Sequence, residues 1–512
     1  MIFDAIMTGF VGVMTPLNLI LVAAGTAIGL FVGAMPGLSA TMAIALLLPL
    51  TFPLPTASGL SLLASLYMGA MYGGSIAAIL LRTPGTPAAA ATVLDGYPMA
   101  QKGLAGKALG VSLVASFIGG LISSIALLTV APILGQVALQ FGPVELFAVA
   151  VLGLTIIASL SRGSTILGLL SGSIGVLLAM VGMDNITGTP RFTFGNINLF
   201  GGISFIVALI GLFSIPQAIR LIENKAVAER KTVVNSITDK MLPTWLEFRS
   251  MLTTIIRSSF IGIFTGIIPG TGGDTACWFG YNEAKRFSKE KDKFGTGHPE
   301  GVAAAEAANN AVVGGSLIPT ISLGIPGSSS TAVLMGGLMV HGVMPGPTLM
   351  TEYADITYTL IWAVMLANFA VLGVGLLLTR MSIHVTRIKD TIMAPLIIVL
   401  CVIGSFSINN NIFDVVLMLG FGLLGYAMDR LKIPTAPLVV GLILGNLFNS
   451  SLHQSLLISH GSWMIFLTSP ISAVLLAVAL LSILQDTPVF RWLIRALKAA
   501  VGKGNKASGA TE

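Results

Sequence analysis

Apolar stretches that are broken by proline and glycine occur twice in this chain, in the same order. Residues 29–37, GLFVGAMPG, recur at 262–270 as GIFTGIIPG. Three further short blocks follow each copy: 73–75 recurs at 314–316, 84–86 at 326–328, and 95–96 at 341–342. Breaks of this kind inside apolar sequence are typical of transporter cores. Because four blocks recur in order, we predict two homologous halves.

The composition places these halves in a membrane. Hydrophobic residues are 54% of the 512-residue chain, charged residues are 9%, and the mean hydropathy is +0.92, whereas about a quarter of the residues of a soluble domain are charged. We therefore expect an all-α polytopic membrane protein in the lipid bilayer. The net charge of +6 requires no nucleic-acid partner, since the basic residues lie in loops between apolar runs. Cys277 and Cys401 both lie in apolar surroundings, which argues against a disulfide framework or a metal site.

The apolar runs predict roughly 11–12 membrane segments plus hairpins. We assign 1–222 to a first transmembrane repeat, 223–257 to a cytoplasmic linker, 258–490 to a second transmembrane repeat, and 491–512 to a cytoplasmic C-terminal tail. The run at 301–320 is weak by hydropathy because it contains Glu306, Asn309 and Asn310. We accept it as a segment because its counterpart near 60–81 is clearly apolar.

The basic residues predict the orientation. Of the 27 Lys and Arg residues, 25 fall on one side if each segment crosses once, and only Arg82 and Arg191 lie outside this pattern. That side is cytoplasmic by the positive-inside rule. Segment 258–281 begins and ends beside basic loops, so we expect a re-entrant helical hairpin with its tip at 269–273. The first motif would enter from the opposite face, which predicts two inverted-topology repeats. An alternative makes 17–35 a plain span.

The broken helices predict where a substrate binds. A break leaves free N–H groups at one helix end, which attract carboxylates, and free carbonyls at the other, which attract cations. Glycine allows a ligand to approach the backbone, and neighbouring hydroxyls add donors. The alternative is that the breaks are only kinks. The predicted substrate-binding residues are Pro36, Gly37, Ser39, Thr41, Pro84, Gly85, Thr86, Pro269, Gly270, Thr271, Gly272, Pro326, Gly327, Ser328 and Ser329.

Four polar residues in apolar sequence are candidates for ion coupling: Asp274, Glu306, Asn309 and Asn310. Carboxyl groups inside a membrane are rare and usually functional. For Asp274 the alternative role is to cap the half-helix that follows it. For Glu306 the alternative is an interhelical hydrogen bond. Arg82 either pairs with a substrate carboxylate or anchors the chain at the membrane surface.

The sequence resembles the large membrane subunit of bacterial tripartite tricarboxylate transporters, the TctA family, over nearly its whole length. The resemblance is carried by GLFVGAMPGLSATMAIALLLPLTF, LYMGAMYGGSIAAILLRTPGTPAAAATVLDGYPMA, GIIPGTGGDTACWFGYNEAKRFSK and HPEGVAAAEAANNAVVGGSLIPTISLGIPGSSSTAVLMGGLMVHGVMPGP. It implies a multi-pass protein of the bacterial inner membrane. It also implies two partners: a small membrane subunit (TctB-like) and a periplasmic solute-binding protein (TctC-like). Uptake of citrate, other di- or tricarboxylates, or aromatic acids would be driven by an ion gradient.

We therefore expect a permease that imports a small organic carboxylate by Na⁺ or H⁺ symport, with no cofactor. A passive anion channel, or a permease for another solute, is the alternative, because broken helices also build selectivity filters. We do not expect an enzyme, since the sequence contains no His-Glu-x-x-His and no paired acid and nucleophile. The absence of a Walker A motif agrees with transport that is not driven by ATP.

Overall fold

The structure is a computed structural model that describes residues 2–35, 38–160, 165–184, 188–223, 239–378 and 390–484. Pro36 and Gly37 of the predicted first tip lie outside these ranges, as do residues 224–238 of the predicted linker and the whole C-terminal tail. The described residues are helical almost throughout. Eight of the described helices are long and apolar enough to cross a membrane, and several shorter apolar helices accompany them. The chain is an all-α polytopic membrane protein, as predicted.

The first half contains nine described helices, and a short antiparallel strand pair, Gly182–Met183 with Pro190–Arg191, follows the eighth of them. The helices are α1 (Ile2–Val13), α2 (Pro16–Gly33), α3 (Ala40–Leu47), α4 (Thr56–Leu81), α5 (Val93–Gln101), α6 (Ala105–Ala138), α7 (Pro143–Leu160), α8 (Thr165–Ala179) and α9 (Phe205–Glu223).

In the second half, the first helix starts at Trp245, inside the segment predicted as linker. The helices are α10 (Trp245–Ile267), α11 (Gly272–Phe287), α12 (Pro299–Leu323), α13 (Ser329–Val340), α14 (Ala354–Leu378), α15 (Asp390–Asn409), α16 (Ile412–Arg430), α17 (Ala436–Ile458), α18 (Ile465–Thr468) and α19 (Pro470–Leu484).

The helices pack as two blocks. Helices α1–α6 and α10–α14 form one, here called the core block, and helices α7–α9 and α15–α19 form the other, here called the flanking block. Each block therefore takes helices from both halves of the sequence. Within the described residues, α3 and α13 of the core block make the main contacts with the flanking block, chiefly with α9, α15 and α17.

Helices α4 and α12 occupy the centre of the core block. Residues 58–80 of α4 and 301–322 of α12 are all buried. The low hydropathy of α12 follows from this position, because its polar side chains face other helices rather than lipid.

Glycines on α2 and α10 bring these helices very close to α4 and α12. A Cβ atom on Gly29 would lie 2.2 Å from the carbonyl oxygen of Leu66, and one on Gly262 would lie 2.2 Å from that of Ala308. Any larger residue would force the backbones apart. These glycines thus serve tight packing of helices in both halves. The inversion of the halves across the membrane stays a prediction.

The local sequence explains the second break in each half. Arg82 caps the C-terminus of α4 with a left-handed φ of 58°, and Gly324 caps that of α12 with φ 70°. Pro84 and Pro326 follow two residues later in each case, and proline cannot continue a helix. The next helix in the second half then starts with a capping box, in which Ser328 Oγ accepts from the Thr331 N–H at 3.2 Å.

Candidate functional site

Each half has two predicted breaks: 36–37 and 84–85 in the first half, and 269–270 and 326–327 in the second half. In each half, the later break packs against the end of the helix that precedes the earlier break. A Cβ atom on Gly85 would lie 2.0 Å from the carbonyl oxygen of Gly33, and one on Gly327 would lie 2.5 Å from that of Gly266. In the second half the two breaks are also hydrogen-bonded, because the Gly270 N–H donates to the Gly327 carbonyl at 2.9 Å. The two predicted breaks of the second half are therefore neighbours in space. At Gly85 and Gly327 only glycine allows the close approach.

The first turns of α3 and α13, one from each half, meet through hydroxyl groups. Thr41 Oγ1 lies 2.9 Å from Ser330 Oγ and 3.2 Å from Ser329 Oγ. Tyr67 of α4 adds a third contact between the halves, with its hydroxyl 3.2 Å from Ser328 Oγ. Thr41 and the serines of α13 follow predicted breaks in the sequence, whereas Tyr67 was not predicted.

The start of α11 packs against α4 and α12. A Cβ atom on Gly273 would lie 2.6 Å from the Met71 side chain and 2.8 Å from Asn309 Oδ1. Gly272 has φ +63°, a conformation that other residues rarely adopt. The Thr271 hydroxyl donates to the Ile268 carbonyl at 2.9 Å, so this side chain stabilises the turn between α10 and α11.

A cavity of about 640 Å³ lies between the two blocks, beside the first-half break. This volume falls within the range of about 300–1,000 Å³ that is usual for small-molecule sites. On the core-block side it is lined by Ser39, Met42, Pro84 and Gly85. On the flanking-block side it is lined by residues of α9 and α16 and of the loop after α16, including Phe213, Gln217, Arg220, Asp429 and Thr435.

Arg220 provides positive charge at this cavity. Its guanidinium pairs with Asp429, and both side chains are partly exposed. An incoming carboxylate would meet a cation whose partner can be exchanged for it. Nothing in the local sequence around Arg220 signalled this role, because Arg220 lies at the end of α9, far from the breaks.

Other predicted residues lie deeper or elsewhere. Thr86 is 2% exposed, and its hydroxyl has no hydrogen-bond partner among the described residues. Pro326 is buried, and Pro269 is partly buried at the tip between α10 and α11. The exposed Arg82 lies with its guanidinium 5.7 Å from the Tyr97 ring centre, and it is not among the cavity residues. This position fits an anchor better than a substrate ligand.

Glu306 lies at the centre of a buried polar network. It is fully buried and accepts hydrogen bonds from the hydroxyls of Thr92 and, at 3.3 Å, Ser116. Asn310 Nδ2 donates to Ser116 Oγ at 2.7 Å. No ion pair with Glu306 occurs within the described part of the chain. Thr92 follows Pro84 and Gly85 in the chain. The network therefore connects α12 and α6 to the segment after this break.

Two further predicted coupling residues lie close to the predicted tip at 269–273. Asn309 is fully buried, and its Nδ2 donates to the Met71 carbonyl at 3.2 Å. Its Oδ1 has no hydrogen-bond partner among the described residues. Asp274 lies in the first turn of α11, where a negative charge complements the helix dipole. The two proposed roles of Asp274 are compatible with this position.

The fourth recurring block forms a contact between the halves that the sequence did not reveal. Asp95 Oδ1 accepts from three main-chain N–H groups of the 295–298 loop at 2.8–2.9 Å, and its Oδ2 accepts from Tyr281 at 2.8 Å. The counterpart, His341, lies with Nε2 3.1 Å from Thr51 Oγ1. Asp95 of the first half thus binds the segment that follows α11, and His341 of the second half contacts the segment that follows α3. We call these contacts the two clasps.

Comparisons with known proteins identify the family of the chain. The family model described as the tripartite tricarboxylate transporter TctA family matches residues 19–440. An uncharacterized 52.8 kDa protein in the TAR-I ttuC' 3' region of Agrobacterium vitis is 37% identical over 475 residues, which cover 92% of this chain and 93% of the relative. An uncharacterized protein in the TAR-II ttuC' 3' region of the same organism is 34% identical over 223 residues, 44% of this chain and 92% of that relative. No solved structure matches. The chain belongs to the TctA family of tripartite tricarboxylate transporters.

Proposed function

We propose that this chain is the permease subunit of a binding-protein-dependent secondary transporter of the bacterial inner membrane. It would import a small organic carboxylate, a tricarboxylate, dicarboxylate or aromatic acid, by symport with Na⁺ or H⁺. Its partners would be a small membrane subunit and a periplasmic solute-binding protein. Membership of a transporter family supports the general class of this proposal.

One observation supports carboxylate binding above all others. The N-terminal turns of α3 and α13 meet at the Thr41–Ser330 contact of 2.9 Å, and Ser39 and Met42 of the same region line the cavity of about 640 Å³. Helix N-termini carry partial positive charge and free N–H groups, which favour an anion. A carboxylate beside this contact would receive donors from both halves, with Arg220 across the cavity.

The location of the cavity supports alternating access. The cavity lies between the core block and the flanking block rather than inside either one. A movement of one block against the other would open or close it while the bonds within each block are kept. The predicted topology puts Arg220 near the cytoplasmic face, so the cavity would open inward in this conformation.

The polar network around Glu306 supports ion coupling at a distance from the substrate. A buried carboxylate without a cation is costly, and binding a proton or Na⁺ would remove that cost. Because Glu306 contacts Thr92, which follows the first-half break, ion binding there would stabilise the arrangement of that break.

The test is uptake into proteoliposomes that contain this chain, its small membrane subunit and the solute-binding protein. Labelled tri-, di- and aromatic carboxylates are compared under imposed Na⁺ and proton gradients. Uphill accumulation is the expected result. Downhill movement alone would indicate a channel and contradict the proposal.

The site itself is tested with Thr41→Val combined with Ser330→Ala. Loss of hydrogen bonds to a charged ligand costs about 1.5–3 kcal/mol, so the apparent affinity for the carboxylate should fall roughly tenfold or more. Thr129→Val is the matched control, because the Thr129 hydroxyl is exposed and bonds only to its own helix, at 2.9 Å from the Ile125 carbonyl. Equal KM values for all three proteins would overturn the assignment.

A further inference from the structure

An open groove of about 530 Å³ runs along the outer face of α10. It is lined by Thr253, Ile256, Arg257, Phe260, Ile261 and Phe264. The groove is distinct from the substrate cavity, since the two share no residue. Its apolar side chains remain open to the surroundings of the helix: Ile256 is 40% exposed, Phe260 51% and Phe264 67%.

Two contacts fix the depth of Arg257 in the membrane. Its guanidinium carbon lies 4.8 Å from the ring centre of Phe287, the last residue of α11. Thr254, in the preceding turn, donates at 2.6 Å to Glu300, in the first turn of α12. The loop between α11 and α12 contains Lys289, Lys291 and Lys293 among other charged residues. Arg257 therefore lies at the level where α11 and α12 leave the apolar region, on the face predicted to be cytoplasmic.

Among the described residues, no acidic group pairs with Arg257. Its buried Nε has no hydrogen-bond partner among these residues either. An arginine keeps its charge under all physiological conditions. A cation at this depth is normally paired with an anion or with an anionic headgroup.

We propose that this groove binds an anionic glycerophospholipid of the inner leaflet. The phosphate pairs with the Arg257 guanidinium, whose planar donors suit phosphate oxygens, and Thr253 supplies a hydroxyl one turn away. One acyl chain lies along Phe260 and Phe264, toward the middle of the membrane.

The lining of the groove matches a lipid better than a protein helix in two respects. A single cation stands at one end, at headgroup depth, and the remaining lining beyond it is apolar. This order of charge and apolar surface is that of a phospholipid. A docked membrane helix would place apolar residues along the whole groove and leave Arg257 without an anion.

The test is native mass spectrometry of the purified full-length chain after exchange into mixed phosphatidylglycerol and phosphatidylcholine. The wild-type protein should retain phosphatidylglycerol preferentially. Arg257→Gln should lower that preference about fivefold, which corresponds to the ~1 kcal/mol that one basic residue contributes near an anionic membrane surface. Lys289→Gln is the matched control: it removes the same charge from an exposed loop residue and should leave the preference unchanged.

Three results would overturn the proposal. The first is a wild-type protein without preference, which requires no variant at all. The second is an equal preference in Arg257→Gln and Lys289→Gln. The third is an unchanged lipid preference together with loss of the copurifying small subunit in Arg257→Gln, which would assign the groove to that subunit. Arg257→Lys keeps the charge and should retain most of the preference, which separates loss of charge from misfolding.

Discussion

The close approach at Gly85 gives the most direct test of whether the paired breaks matter. An added Cβ atom would lie 2.0 Å from the Gly33 carbonyl oxygen and 3.0 Å from the Gly74 Cα. Both obstacles are main-chain atoms, so no side chain can rotate away. Gly85→Ala must therefore displace the break from the end of α2 and alter the cavity wall that Pro84 and Gly85 form.

The expected cost follows from this geometry. Overpacking of a well-filled site costs about 1–3 kcal/mol. The whole effect falls on a segment that lines the cavity, so we expect transport to be largely lost while the protein still inserts in the membrane. Gly327→Ala should act in the same direction, since its Cβ atom would lie 2.5 Å from the Gly266 carbonyl oxygen.

Gly373→Ala is the matched control. Gly373 lies within α14, and an added Cβ atom there would meet no atom within 4 Å. Alanine in a helix is more favourable than glycine by roughly 0.5–1 kcal/mol, so this variant should melt at or above the wild-type temperature and transport normally. The assay is initial uptake into proteoliposomes, normalised to inserted protein. Wild-type uptake by Gly85→Ala would refute the reasoning.

The remaining predictions concern three carboxyl groups of the core block. Glu306→Gln should preserve insertion and melting temperature but abolish stimulation of uptake by an ion gradient, and unchanged stimulation would exclude Glu306 from coupling. Asp274→Asn should impair coupled uptake in the same assay, whereas full transport with the same ion dependence would leave only the helix-capping role. Asp95→Ala would remove the acceptor of three main-chain N–H groups, and a typical hydrogen bond contributes about 0.5–1.5 kcal/mol. It should therefore lower the melting temperature much more than His341→Ala, which removes a single hydrogen bond; equal losses would contradict the importance of the Asp95 clasp.

Much of the fold could be predicted because its signals are local. Proline and glycine determine where α4 and α12 end, and Ser328 starts the helix that follows the second break. The apolar runs then set the helix positions. Even α12, which is weak by hydropathy, was predicted because its counterpart in the first half is apolar.

The composition of the site could be predicted only in part, because its contacts join distant parts of the chain. Thr41 and Ser330 are 289 residues apart, and Thr92 and Glu306 are 214 apart. A hydroxyl residue such as Thr92 carries no local signal, since serine and threonine are common in membrane helices. The division into two blocks was also invisible, because each block combines helices from both halves.

The clasps bear on which parts of the protein can move. Asp95 joins the first half to the 295–298 loop of the second, and His341 joins the second half to Thr51 of the first. Both clasps lie inside the core block. A mechanism in which the two halves separate would have to break them, whereas a movement of the core block against the flanking block would leave them intact.

Chemical cross-linking distinguishes these two movements. A thiol-reactive linker between cysteines introduced at Thr51 and His341 spans a contact within the core block, so it should leave transport largely unchanged. The same linker between cysteines at Met42 and Phe213, which face the same cavity from opposite blocks, should stop transport, and reductive cleavage of the linker should restore it. Inhibition by the first linker and not by the second would show that the halves, rather than the blocks, move.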